Sequence, residues 1–587
     1  MKSLLARLFS HLTTRRRVQL GLILFLVILA SVAEAASIGA VIPFLGVLTA
    51  PQTVFNHPAV HPIIQGLGLD SADELVLPIT LAFASAALFA GAVRLLLLWA
   101  MTRWSYATGA DLSINIYRRT LYQPYTVHTT RNSSEVIAGI STKVNQVIFN
   151  LLQLLNLIGA TFILLGILAT LLMINTIAAL SATIGFTVIY ASIMWRIRDR
   201  LMVNSTKIAH ESNQVIKSLQ EGLGGIRDIL LNGSQEIYCR QYRNSDLELR
   251  IAQGSNSFLS SSPRYFVESV SMLLIALLAY VMAKRSEGLD AAVPILGALA
   301  LGAQRMLPAM QMGYAAWVST RGAMESLKDT IELLEQPLPT HAGLPPAKPL
   351  DFFEKLELKN VSFKYPSSSD WILREINLKI EKGSRVGVIG VTGTGKSTLL
   401  DIVMGLLNPT EGTIIVDHEP ISPQNQRHWQ ACIAHVPQTI YLSDNSVEEN
   451  IAFGVDIHLI DRHQVHLAAK QANLHETIER WPDGYQTLVG ERGVRLSGGQ
   501  RQRIGIARAL YKQAKFIIFD EATSALDRDT EEAVMNSIEA LNSNLTIVMI
   551  AHRITTLKYC SQILEISNLE VRNLGTYEDC LQHISQA

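Results

Sequence analysis

The chain has 587 residues, and its 50 Lys+Arg against 50 Asp+Glu give a formal net charge of zero, which excludes a strongly basic nucleic-acid binder and an acidic disordered chain. Charged residues make up only 17%, hydrophobic residues 49%, and the mean hydropathy is +0.23. That is more apolar surface than a soluble protein of this size covers, so part of the chain is expected to face lipid.

Apolar runs at 18–48 and 75–101 each read as one membrane span, because about 20 residues cross the hydrocarbon. The stretch 144–195 holds no Asp, Glu, Lys or Arg and fits two spans with a turn near 173–176. Runs at 266–283 and 291–317 bring the total to six, the fifth shortened by Glu268. The basic start followed by Ala33-Glu34-Ala35 mimics a secretory signal, but the apolar run continues to Leu45, so the first span is expected to stay uncleaved. Basic residues crowd the N-terminal segment and the segments after the second and fourth spans, whereas the 51–74 loop has none. The charge bias predicts a multi-pass protein of the cell inner (plasma) membrane with its N-terminus and C-terminal half in the cytoplasm. Only Lys284 and Arg285 fall on the wrong side.

A Pro-rich stretch at 336–346 marks a linker. The expected division is a transmembrane domain at 1–330, a linker at 331–350 and a soluble domain at 351–587. The four cysteines form no CxxC pair, which excludes a zinc cluster of that kind.

In the soluble half, the apolar run ending at Ile389 enters Gly390-Val391-Thr392-Gly393-Thr394-Gly395-Lys396-Ser397. This is GxxxxGK[ST] in a strand–loop–helix setting, a loop that wraps phosphates with backbone N–H groups. Lys396 neutralises the β/γ-phosphates and Ser397 offers a hydroxyl to Mg²⁺. A second apolar strand, 515–519, ends in Asp520-Glu521, an acid for the metal shell beside an acid able to deprotonate water.

Between them lies Leu496-Ser497-Gly498-Gly499-Gln500, and here the chain resembles the ATP-binding cassette family. The resemblance covers about 353–587. It implies that Tyr365 stacks on adenine, that Gly390, Thr392, Gly393, Thr394, Gly395, Lys396, Ser397 and Thr398 hold the phosphates, and that Ser397, Gln438 and Asp520 hold Mg²⁺. It assigns catalysis to Glu521, His552 and Gln438, counts Asp527 of the D-loop among the ATP-binding residues, and places Leu496–Gln500 on the ATP of a partner cassette. The expected assembly is a homodimer with two ATP sites and twelve spans, each chain joining an all-α six-helix membrane domain to a cytoplasmic α/β P-loop NTPase domain. Stretches 122–134 and 219–231 match the coupling helices of exporters, the second with a glycine cluster that is a close-packing candidate or a plain loop.

Glu34, Arg94, Glu268 and Arg305 fall inside apolar runs, where a charge costs about 2.5–3.5 kcal/mol at mid-membrane. Arg94 and Arg305 read either as lining a cavity for an anionic head group or as structural partners of Glu34 or Glu268. Glu34 with Ile38-Gly39 and Ile42-Pro43-Phe44-Leu45, Gln123-Pro124-Tyr125, Arg131–Ser134, Gly222–Gly225 and Ala303–Ala309 resemble lipid-linked oligosaccharide flippases of the PglK type. That resemblance implies an ATP-driven flippase for an anionic, lipid-linked saccharide. A peptide, drug or other lipid exporter, and an ATP-gated regulatory membrane protein, are the alternatives.

Overall fold

The computed structural model describes residues 2–49, 52, 55, 71–174, 176–283, 306–366, 368–521, 528–539, 545–551 and 554–586. It divides into two compact units, Met1–Gln123 with Thr130–Thr340, and Pro124–Thr129 with His341–Ala587.

The first unit is helical. Its helices are α1 (Lys2–Ser10), α2 (Thr14–Thr49) and α3 (Val76–Leu121), then α5 (Ser133–Ala138), α6 (Val144–Ile174), α7 (Thr176–Gly224), α8 (Ile226–Leu231), α9 (Gln235–Ala283), α10 (306–322) and α11 (Met324–Leu334); α4 (Tyr125–Thr130) groups with the second unit. Among the described residues three helical stretches, Thr14–Ser37, Ala72–Leu121 and Ser133–Ala169, are long and apolar enough to cross a membrane. The expected fourth and fifth spans fall within α7 and α9, which have 49 residues each. The 51–74 loop and the start of the sixth span lie largely outside the described residues. At 1.5 Å per residue the 46-residue α3 is about 70 Å long, more than twice the hydrocarbon thickness, so it runs well past any bilayer.

Periodicity explains the packing. Val93, Leu97, Met101, Trp104, Leu112 and Ile116 are buried on α3 at three-, four- and eight-residue steps, one stripe of the helix, and pack in one core with Ile23 and Val27 of α2 and Val147 and Leu151 of α6. Pro263 interrupts α9 and removes the N–H that would bond the Leu259 carbonyl. The Tyr314 hydroxyl of α10 donates to that carbonyl at 2.7 Å, and Gln311 donates to Ser260 O at 2.9 Å. The freed backbone thus becomes the fastening between α9 and α10. Glu268 has a partner on its own helix, Arg264 at 3.9 Å.

Two boundaries differ from the sequence reading. α11 continues to Leu334, past the expected domain end at 330, because Leu327, Ile331, Leu333 and Leu334 bury a face against Leu8 and Leu12. The segment 124–129 belongs with the soluble unit rather than with the 1–330 domain. In the glycine cluster, a Cβ at Gly222 or Gly224 would meet nothing within 4 Å among the described residues, whereas one at Gly225 would lie 3.2 Å from the Glu221 carbonyl of the preceding turn, a local contact rather than packing between helices.

The second unit carries β1 (Lys355–Phe363), β2 (Leu373–Glu381), β3 (Arg385–Ile389), β4 (Glu411–Val416), β5 (Glu419–Pro420), β6 (Ile433–Val436), β7 (Phe516–Asp520), β8 (Thr546–Ile550), β9 (Gln562–Ser567) and β10 (Glu570–Gly575). One sheet has the order β2-β1-β4-β5 and is antiparallel. The other has the order β10-β9-β3-β8-β7-β6, with β9, β3, β8, β7 and β6 parallel. β7 and β8 are almost wholly buried, as the unbroken apolar runs Phe516–Phe519 and Ile547–Ile550 require for a sheet covered on both faces.

Candidate functional site

Strand register gathers the residues picked out from the sequence. Val388 of β3 and Asp520 at the end of β7 both lie level with Ile550 of the intervening β8. The loop after β3, the Asp520-Glu521 pair and Gln438 beyond β6 therefore share the carboxyl edge of the parallel sheet, where such sheets bind ligands.

β3 turns into the 390–395 loop with two glycines under constraint. Gly390 holds φ +151 with a would-be Cβ 2.6 Å from the Ile566 carbonyl, and Gly395 holds φ +96 with one 3.1 Å from Ile372. No side chain tolerates both the backbone and the approach. Gly395 caps α12 (Lys396–Val403), whose first-turn N–H groups end at the loop. Lys396 donates from Nζ to the carbonyls of Gly390 (2.8 Å) and Val391 (3.0 Å), and Thr394 Oγ1 donates to Val391 O (2.9 Å). Thr392, Gly393 and Ser397 are exposed at the rim, and Thr398 is buried. The Tyr365 hydroxyl lies 3.5 Å from Thr398 Oγ1, and its ring meets Phe363 edge-on at 5.1 Å.

Glu521 adopts φ +50, a left-handed conformation uncommon outside glycine, and its N–H donates to Ile550 O at 3.3 Å. Gln438 donates from Nε2 to the Glu521 carboxylate at 2.5 Å. Ser497 caps α13 (Gly498–Tyr511): its Oγ accepts from Gln500 N at 3.2 Å while its own N–H donates to Gln500 Oε1 at 2.8 Å. Leu496 is buried, and Gly498 and Gly499 form the first turn of the helix without side chains to cover its N–H groups. His552, Asp527 and Arg305 lie outside the described residues.

One acid was missed. Asp401 on α12 has its carboxyl pushed up to about 6, first by burial and then by Asp520. In sequence it is one polar residue of a helix turn; nothing there shows that β7 folds beside it. Two carboxylates that feel each other's charge next to a phosphate loop make a spot that a cation would offset. Ser397, Gln438 and Asp520 supply hydroxyl, amide and carboxylate oxygens, a donor set that suits Mg²⁺. Among the described residues no group of three or more His, Cys, Asp or Glu is placed to hold a metal. Because the folded Asp401 binds its proton more tightly than the unfolded chain, it contributes stability at low pH that is lost as pH rises from about 4 through about 6. Asp401→Asn is expected to be more stable than the parent at pH 7.5 by about 1 kcal/mol, discounted because the carboxyl is partly solvated, with the difference vanishing near pH 4. Thermal unfolding at the two pH values checks it.

Arg94 donates to Glu34 at 3.1 Å, joining α3 to α2, and Glu34 is buried. The pair favours the structural reading over the anionic cavity for Arg94: its charge answers a carboxylate in the same unit. Arg94→Ala is expected to cost about 1 kcal/mol by taking a charge-assisted contact from that buried carboxylate, and Arg94→Leu with Glu34→Leu to recover most of it. Melting in detergent measures both. In the second unit, Tyr125 of α4 has its phenol pushed up by burial and by the nearby Asp401 and Tyr365, which places this short helix beside the phosphate-loop helix.

Two family models match the chain, "ABC transporter transmembrane region" over residues 20–291 and "ABC transporter" over 373–524. The chain belongs to the ABC transporter family. As an ABC exporter it joins a membrane-embedded, multi-pass helical region to an ATP-hydrolysing α/β domain. The "ATP-dependent lipid A-core flippase" of Alkalilimnicola ehrlichii is 36% identical over 279 residues, 47% of each chain. That of Burkholderia orbicola is 26% identical over 551 residues, 92% of this exporter and 90% of the relative. A solved structure of a bacterial Atm1-family ABC exporter with ATP bound matches with a TM-score of 0.77 at 24% identity, over 97% of this chain and 96% of that one, which is a likeness of fold.

Proposed function

We propose that this exporter works as a homodimer that flips an amphipathic, lipid-linked saccharide across the bacterial inner membrane, its nucleotide-binding half in the cytoplasm, by alternating access. The observation that carries the reading is the alignment over 92% of the chain, membrane half included, with a protein named as a lipid flippase. The resemblance of the first span and the first loop to PglK-type flippases points to a saccharide on that lipid.

In this reading the 390–395 loop and the amino end of α12 wrap the phosphates of ATP, and Lys396 leaves its loop carbonyls to meet the β/γ-phosphates. Tyr365 stacks on the adenine. Mg²⁺, when bound, offsets phosphate charge between Ser397, Gln438 and Asp520. Glu521 takes the proton from the attacking water once Gln438 releases it, and His552 steadies the γ-phosphate. The uncovered N–H groups at Gly498 and Gly499 complete the site on the partner's ATP, so two copies are needed for two sites. The exposed Leu223, Leu230 and Leu231 at the α7–α8 tip offer an apolar foot for the partner's nucleotide-binding half.

The test is the ATPase of the purified protein in nanodiscs. A polyprenyl-pyrophosphate-linked glycan or a lipid A-core preparation is expected to stimulate turnover, and peptides and cationic drugs are not. Stimulation by the drugs alone would replace the flippase reading with drug export.

A further inference from the structure

A cavity of about 720 Å³ opens among α6, α7, α9 and α10, within the size of small-molecule sites. Its wall is uncharged: among the described lining residues there is no Asp, Glu, Lys or Arg. Gln146, Asn150 and Gln153 recur at three- and four-residue steps along one face of α6, and they look toward Asn256 and Ser260 of α9 and Ser319 of α10. A turn of π-helix at Gly139–Lys143 immediately precedes this face, a feature often found at functional sites.

Two polar atoms in this wall have no hydrogen-bond partner among the described residues. Asn150 is 4% exposed; its Oδ1 accepts from Ser319 Oγ at 3.1 Å, and its Nδ2 is the amide donor left over. Gln146 Oε1 is a buried acceptor likewise without a partner. Buried polar groups are almost always bonded, and leaving one bare is costly to the fold. A hydroxyl donates and accepts at once, so one kind of group answers both atoms. A phosphate only accepts, and it would carry its charge into a wall with no counter-charge.

We infer that this cavity binds the uncharged, hydroxyl-rich glycan part of the cargo, so that the exporter selects its substrate by sugar hydroxyls rather than by an anionic head group. The inference rests on the lipid-linked saccharide reading above and deepens it.

The experiment uses the full-length dimer in nanodiscs carrying Cys239→Ser, which removes the exposed thiol, and Ala315→Cys in the cavity wall. The rate of maleimide labelling is followed with two probes, a short-chain prenyl-pyrophosphate disaccharide and the same prenyl pyrophosphate without sugar. The disaccharide lipid is expected to slow labelling at least about tenfold and the sugar-free lipid to leave it unchanged. Asn150→Leu, or Asn150→Ser should the first not fold, should raise the protecting concentration about five- to tenfold, as expected for lost neutral hydrogen bonds. Equal protection by both lipids, or none by either in a protein that flips the glycolipid, would overturn the inference. So would an introduced thiol that does not react without probe, because the second copy of the chain would then cover the cavity. Glycan-specific protection in a protein that flips nothing would support the cavity assignment while sinking the flippase reading.

Discussion

Glu521→Gln is expected to bind ATP as the parent does and to hydrolyse it at least about a hundredfold more slowly. A positioned base accounts for about 10²–10⁴ in rate, and the amide keeps the shape of the carboxylate but takes no proton. The Gln438 amide at 2.5 Å can still donate to the new amide oxygen, so the local frame survives the change. That separates two roles. If Glu521 only anchored Gln438, then Gln438→Ala would match Glu521→Gln in turnover. If Glu521 is the base, Gln438→Ala retains substantially more activity. Single-turnover hydrolysis, alongside binding of a fluorescent nucleotide, measures both at once; near-parent turnover in Glu521→Gln would remove Glu521 from the chemistry.

Lys396→Ala is expected to weaken ATP binding itself by about ten- to hundredfold, the worth of one charge-assisted contact to phosphate. The structure adds a second reason. The ammonium bonds the Gly390 and Val391 carbonyls at 2.8 and 3.0 Å, so it also ties the loop together before any phosphate arrives. Equilibrium binding of ATP at fixed Mg²⁺ is the measurement. An unchanged affinity would mean that the loop is not the phosphate cradle.

The phosphate loop was legible because its demands are local. The glycines, Lys396 and Ser397 are neighbours in sequence, and the strand before and helix after them announce themselves by apolar pattern. Glu521 was legible at the end of an apolar strand, but Gln438 needed the family resemblance, since its meeting with Glu521 depends on β6 and β7 lying side by side. Asp401 was invisible for the same reason: its partner Asp520 is brought near only by the sheet. In the membrane half, long apolar runs gave α2, α3 and α6 directly, because a lipid-facing helix has to be apolar for its whole crossing. What they could not give is pairing. Glu34 and Arg94 sit sixty positions apart on different helices, and each alone looks like a functional charge. The neutral cavity was hidden more deeply still. Its glutamines, asparagines and serines come from several helices, and none departs from the background of its own segment.

Flipping in proteoliposomes bears most directly on the central claim. The purified exporter would be reconstituted with a fluorescent lipid-linked oligosaccharide, and the fraction accessible to a membrane-impermeant quencher followed after ATP and Mg²⁺ are added. The account predicts ATP-dependent movement by the parent protein and none by Glu521→Gln. Movement at equal rates in the parent, in Glu521→Gln and in liposomes without ATP would contradict it.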